Sequence, residues 1–222
     1  MNPATHHPIQ AVIFDCDGTL VDSEVPGMDV IHEHASALGL DFTREEAHQH
    51  FRGLRMNDVV AWIGARLAQV PEGFAENFPR TLRSAQAERF SQGLDVIPGA
   101  RELLQGLTIP FCVATNGPRE KVELTLRLTG LRQYFGDRIF TAYEVGSYKP
   151  DPGLFLHAAQ VLGVTPAFCA VVEDSVPGIR AGLAAGMQVY SLFPMEELDA
   201  ELASRVHSIR DLTELDFQGS RA

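Results

Sequence analysis

Two kinds of hydrophobic pattern alternate along this chain. Residues 11–14, 111–114, 170–172 and 188–192 are short, almost unbroken apolar runs, and residues 138–140 form a shorter fifth. Runs of this kind predict strands that are covered on both faces. Between them lie stretches with helical signals. Residues 98–104 begin with a proline at a plausible first helical position. Residues 120–128 mix charges with Val122, Leu124, Leu126 and Leu128, and residues 152–162 and 177–185 stop at Gly163 and Gly186. Strand–helix alternation predicts an α/β fold with a Rossmann-like parallel sheet, whose active edge lies at the carboxyl ends of the strands.

One stretch breaks the alternation. Between residues 22 and 95 only helical signals occur: Val30, Ile31, Ala35 and Leu38 before Gly39, then Val59, Val60, Ile63 and Leu67, then Phe78, Leu82, Ala85 and Phe90. Thr43-Arg44-Glu45-Glu46 reads as a capping box that opens another helix. The expected organisation is an α/β core of residues 1–21 and 95–222, with an inserted all-helical domain of residues 22–94 acting as a lid. Residues 22–23 and 91–93 are the hinge candidates.

Composition narrows the function classes. The 222 residues can bury a sizeable core. A net charge of −11 argues against a nucleic-acid surface, which needs clustered positive charge. Cys16, Cys112 and Cys169 are odd in number and sit in or beside predicted strands, which points to buried thiols and a reducing, cytoplasmic setting. The first ten residues lack a basic segment or a long apolar stretch, so no signal peptide is expected, and nowhere is an uncharged run long enough to predict a membrane span. His6 and His7 read as part of a polar tail rather than as metal ligands.

Four segments carry candidate chemistry. Phe14-Asp15-Cys16-Asp17-Gly18-Thr19-Leu20 puts two carboxylates two positions apart at a strand end. Burying such like charges together is costly unless a cation or a proton separates them. A divalent metal would do so and leave one carboxylate oxygen able to attack an electrophile; a strand end followed by an Asp-Gly turn is the plainer alternative. An aspartate attacking phosphorus forms an acyl phosphate, and a second carboxylate can move the protons. Thr115-Asn116-Gly117 follows the second strand and could hold phosphate oxygens at a helix start. Lys149, framed by Ser147-Tyr148 and Pro150-Asp151-Pro152, offers a positioned ammonium. Val172-Glu173-Asp174-Ser175 places two acids at a third strand end, suited to a hard Mg²⁺ or to a helix N-terminus.

In this order the four segments resemble the motifs of the haloacid dehalogenase superfamily of phosphohydrolases. The resemblance implies a Rossmann-like core with a helical cap. It implies that Asp15 is the nucleophile and a Mg²⁺ ligand, and that Asp17 is the general acid/base, binding the metal through its carbonyl. Thr115, Asn116 and Gly117 would hold the phosphate and Lys149 would neutralise it. Asp174 would ligate the metal directly, and Glu173 through water or from behind.

More narrowly, the chain resembles the branch that holds phosphatases of sugar phosphates and of 6-phosphogluconate together with β-phosphoglucomutases. In that branch a cap loop sets specificity, which implies substrate contacts from Arg52, Gly53 and Arg55. Guanidinium forks suit a distal carboxylate. The mutases carry a histidine where this chain has Gly27, which favours phosphate release to water over return to the sugar. Asp17 argues against a dehalogenase. No lysine occurs between residues 22 and 95, against a phosphonate hydrolase. The expected protein is a monomeric Mg²⁺-dependent phosphomonoesterase acting on a small phosphorylated metabolite, with no nucleic-acid or membrane partner. A mutase and a non-catalytic sugar-phosphate binder remain as alternatives.

Overall fold

The computed structural model describes residues 7–51 and 54–217. The chain divides into two compact units, one from Met1–Val21 with Val96–Ala222, the other from Asp22–Asp95. Strand β1 (Ala11–Phe14) precedes helices α1 (Glu24–Ala37), α2 (Arg44–Phe51), α3 (Met56–Gly64) and α4 (Phe74–Ser91). After them come α5 (Ala100–Gly106), β2 (Phe111–Thr115), α6 (Arg119–Leu128), β3 (Ile139–Thr141), α7 (Ala142–Val145) and α8 (Gly153–Leu162). The chain continues through β4 (Cys169–Glu173), α9 (Val176–Ala184), β5 (Gln188–Ser191), α10 (Ala200–Ala203) and β6 (His207–Ser208).

Among the described residues the first unit holds one six-stranded sheet in the order β3-β2-β1-β4-β5-β6, and its strand pairs are parallel. The apolar runs explain the arrangement. All four residues of β1 are fully buried, as a central strand covered on both faces requires. Ala11 and Ile13 join Cys112, Ala114, Val171, Leu154 and Phe155 in one core cluster. On the opposite face Phe14 meets Phe111 edge-on at 6.4 Å, and Phe111 meets Phe135 at 5.6 Å. Strand order reverses between β1 and β4, the switch point at which α/β sheets bind ligands. The carboxyl ends of β1, β2 and β4 therefore sit side by side at one edge.

Two sequence expectations shift. The strand read at 138–140 lies one residue later, and the helix read from Pro98 begins at Ala100, after Gly99 turns at a φ of 84°. Strand β6 had no signal, because it is only two residues long and its residues are half-buried and exposed.

Among the described residues the second unit's regular elements are all helices, and it has its own core. Val30, Ile31, Ala35, Ala47, Phe51, Val59, Val60, Ile63, Phe74 and Leu82 pack together. Thr43 and Glu46 form the reciprocal cap of α2: the Thr43 N–H donates to Glu46 Oε2 at 2.7 Å, and the Glu46 N–H donates to Thr43 Oγ1 at 3.1 Å. Gly27 lies where α1 meets α4. Gln86 Nε2 donates to its carbonyl at 3.1 Å, and an added Cβ would stand 3.4 Å from that nitrogen. Among the described residues no helix is long and apolar enough to cross a membrane.

Candidate active site

Asp15 is the first residue beyond β1, and its N–H donates to the Val172 carbonyl at 3.0 Å, which extends the sheet ladder by one bond. The residue is only 7% exposed. Lys149, 5% exposed, reaches it from the loop between α7 and α8: Nζ donates to Asp15 Oδ1 at 2.5 Å and to Glu173 Oε1 at 2.6 Å. One ammonium thus lies between two buried carboxylates at the ends of two adjacent strands. Burial pushes the Asp15 carboxyl up to about 7; Glu173 and Asp17 add to the rise, and Lys149 opposes it. Burial alone would lower the Lys149 ammonium, but Asp15 and Glu173 outweigh it and hold the group above its ordinary value.

Glu173 is fully buried and both of its oxygens are engaged. Oε1 accepts Lys149, while Oε2 accepts the Asp174 N–H at 3.0 Å, the Ser175 N–H at 2.9 Å and the Ser175 hydroxyl at 2.9 Å. A Cβ on Gly178, in the first turn of α9, would fall 1.8 Å from Oε1. The sequence reading gave Glu173 to the outer metal shell. In the structure its carboxylate orients Lys149 and ties down the start of α9.

Asn116 turns its side chain to Lys149 as well. Its carboxamide brackets the Lys149 main chain: Oδ1 accepts the Lys149 N–H at 2.9 Å, and Nδ2 donates to the Lys149 carbonyl at 3.3 Å. The Lys149–Pro150 peptide that follows is cis. Thr115 Oγ1 accepts the Gly117 N–H at 3.0 Å, which curls the loop after β2. Asp17 pairs with Lys121 of α6, Nζ to Oδ1 at 2.9 Å.

Asp174 Oδ1 accepts the Thr19 hydroxyl at 3.1 Å. Gly18, at a φ of 77°, faces the same carboxylate so closely that an added Cβ would stand 2.3 Å from Asp174 Oδ2. Only glycine fits there, for backbone conformation and for space. The donor chemistry suits a hard divalent cation: Asp15 and Asp174 are buried carboxylates, and a cation would counter the upward push on Asp15. Among the described residues no three His, Cys, Asp or Glu side chains converge into a complete metal shell. Such an ion would therefore also draw on a main-chain carbonyl and waters, which Mg²⁺ accepts readily.

Of the residues expected at the site, Asp15, Asp17, Thr115, Asn116, Gly117, Lys149, Glu173 and Asp174 all belong to the first unit; Thr115 and Glu173 end β2 and β4, and the others lie in the loops that follow β1, β2, α7 and β4. Arg52 and Gly53 lie outside the described residues. Arg55 belongs to the helical unit, just before α3, where its guanidinium grips Asp58 at 2.8 and 3.1 Å. The sequence reading missed Thr19, Lys121 and Ser175. Ser175 directly follows Asp174 and Thr19 stands two residues after Asp17, and hydroxyls at those places are the signal that could have found them.

The comparisons with known proteins fit this geometry. The haloacid dehalogenase-like hydrolase family matches residues 9–186. The chain belongs to that family. It is 36% identical over 186 residues to the 6-phosphogluconate phosphatase of Escherichia coli K12, covering 82% of this chain and 81% of that one. It is 30% identical over 183 residues to the phosphorylated carbohydrates phosphatase of Thermotoga maritima, covering 81% and 83%. Among solved structures, a HAD family hydrolase from Deinococcus radiodurans R1 with bound phosphate and sodium superposes with a TM-score of 0.73 at 32% identity, over 93% of each chain. The protein is a haloacid dehalogenase-like phosphatase, and its parallel sheet is that family's core.

Proposed function

We propose that this phosphatase is a Mg²⁺-dependent phosphomonoesterase that hydrolyses a small sugar phosphate or phosphorylated sugar acid, of the 6-phosphogluconate kind, through a phosphoaspartate on Asp15. The observation that carries the reading is the Asp15 carboxylate, buried at the tip of the central strand, 2.5 Å from Lys149 Nζ and beside Asp17. The substrate class follows the phosphatases of phosphorylated sugars that this chain resembles over four fifths of its length.

Asp15 attacks phosphorus through one oxygen while the bond to the sugar oxygen breaks. Lys149 offsets the repulsion between its carboxylate and the incoming phosphoryl group. Thr115 and the N–H groups of the loop ending at Gly117 hold the phosphoryl oxygens; the Asn116 side chain acts through Lys149 instead. Asp17 gives a proton to the leaving alcohol, then takes one from the water that releases phosphate. Asp15, the Asp17 carbonyl and Asp174 would hold the metal, with Glu173 behind them. Mg²⁺ bound there would supply positive charge that favours the ionised form of Asp15 and offsets the charge of the phosphoryl group. The helical unit serves as the cap, and Arg52, Gly53 and Arg55 are its selectivity residues. Three buried free thiols favour a reducing compartment, the cytoplasm, where the enzyme acts as a monomer.

The position that a mutase-like resemblance assigns to a histidine is Gly27, so hydrolysis is favoured over transfer back to the sugar. A panel of phosphorylated sugars, sugar acids and polyols tests the reading, with free phosphate measured with and without Mg²⁺. Acid quench during turnover should trap a hydroxylamine-labile phosphoryl group on Asp15. Phosphate release with no such adduct, or an isomerised sugar phosphate with no free phosphate, would overturn it.

A further inference from the structure

Helix α6 begins directly after the Thr115–Gly117 loop and Pro118, and Lys121 stands in its first turn. An ammonium is misplaced there, because the helix N-terminus already carries partial positive charge. Lys121 answers to a partner outside its helix: Nζ lies 2.9 Å from Asp17 Oδ1, with the two side chains 30% and 18% exposed. The other oxygen of the same carboxylate faces elsewhere. A Cβ built on Gly117 would lie 3.4 Å from Asp17 Oδ2 and equally 3.4 Å from Thr115 Oγ1. The two oxygens of Asp17 are therefore inequivalent: Oδ1 is tied to α6, and Oδ2 borders the loop proposed above to hold phosphate.

We propose that Lys121 is a positioning residue for proton transfer, holding Asp17 through Oδ1 with Oδ2 turned towards the loop that faces the reacting oxygens. The proposal rests on the reading of Asp17 as general acid and base. In the first half-reaction the Asp15 oxygen–phosphorus bond forms and the phosphorus–sugar oxygen bond breaks. The leaving oxygen keeps the bonding pair and takes the proton from Oδ2. In the second, water attacks phosphorus, its proton passes to Oδ2, and the Asp15 oxygen leaves phosphorus with the bonding pair. The carboxylate ends as it began. A part-exposed ion pair adds little to stability, so its placement beside the acid/base is better explained by orientation than by fold strength.

The test uses two esters of one phosphoryl group, an alkyl (sugar) phosphate that needs its leaving oxygen protonated and p-nitrophenyl phosphate, which does not. Single-turnover rates of the first half-reaction are measured for wild type, Lys121→Met, Lys121→Arg, Asp17→Asn and the double variant Asp17→Asn/Lys121→Met. Lys121→Met should slow the alkyl ester on the order of tenfold or more, within the range of general acid catalysis. The aryl ester should change by less than about twofold. KM should barely move, and Lys121→Arg should regain most of the rate. On the Asp17→Asn background, Lys121→Met should add nothing. Equal slowing of both esters, an unchanged alkyl rate, or a full additional loss in the double variant would overturn the proposal. An Asp17→Asn variant that slows both esters alike would instead sink the acid–base reading, and the role of Lys121 with it.

Discussion

The carboxamide of Asn116 accepts from the N–H and donates to the carbonyl of Lys149, gripping one residue's main chain from both sides. The loop after β2 thereby sets where the loop after α7 delivers its ammonium. Asn116→Ala should leave those two peptide groups without their partners, at a cost of about 1–3 kcal/mol. Denaturant unfolding should show that loss. Turnover should fall about tenfold or more as Lys149 moves from Asp15. Unchanged turnover in a destabilised variant would mean that the bracket serves the fold alone.

Gly178 gives a second route to the same ammonium. Because an added methyl would overlap Glu173 Oε1, Gly178→Ala should push the Glu173 carboxylate off Lys149 without touching any charge. The expected result is a drop of about 1–3 kcal/mol in unfolding free energy, together with a fall in kcat. Wild-type kcat in this variant would show that the Glu173–Lys149 contact is dispensable for turnover.

The selectivity proposed for Arg55 can be tested directly. Its fork is held by Asp58 in the present structure. Arg55→Ala should raise KM for a phosphorylated sugar acid by roughly tenfold, the value of one charge-assisted bond. It should leave a small aryl phosphate unaffected. Steady-state kinetics on both substrates decides the matter, and equal changes would remove Arg55 from recognition.

The helical unit should respond to acid through Asp29. Burial alone would raise this carboxyl, but its bonds from Arg44 and His48 outweigh burial and hold it below its ordinary value. A lowered folded-state value means that the pairing stabilises the fold above the unfolded carboxylate range, near pH 4, and that this contribution is lost as pH falls through the lowered value. Asp29→Asn should therefore unfold more readily than wild type near neutral pH. The gap should close on acidification towards about pH 3. Urea midpoints across that range are the measurement, and a gap independent of pH would contradict it.

Features that depend on neighbouring residues were legible in the sequence. The four apolar positions of β1 and the Thr43–Glu46 cap declare themselves within a few residues, and both stand in the structure. Strand ends carrying Asp15, Thr115 and Glu173 could be placed at one edge because parallel strands leave their carboxyl ends together. What escaped were partnerships across the fold. Lys121 is one of several charges in residues 120–128, and its partner Asp17 lies in a different element. The amide of Asn116 and the carboxylate of Glu173 looked like phosphate and metal groups, and only the folded chain shows them turned towards Lys149.

The insertion point of the helical unit has a consequence of its own. Val21 bridges Val96 in the first unit, and the Asp22 N–H donates to the Asp95 carbonyl at 3.0 Å in the second. A segment of more than seventy residues thus leaves and rejoins the sheet domain at neighbouring points. Lengthening a segment between fixed, adjacent anchors adds only logarithmically to the entropy of closing it. The seam is consequently a place where the helical unit can grow or shrink at little entropic cost to the sheet that carries it.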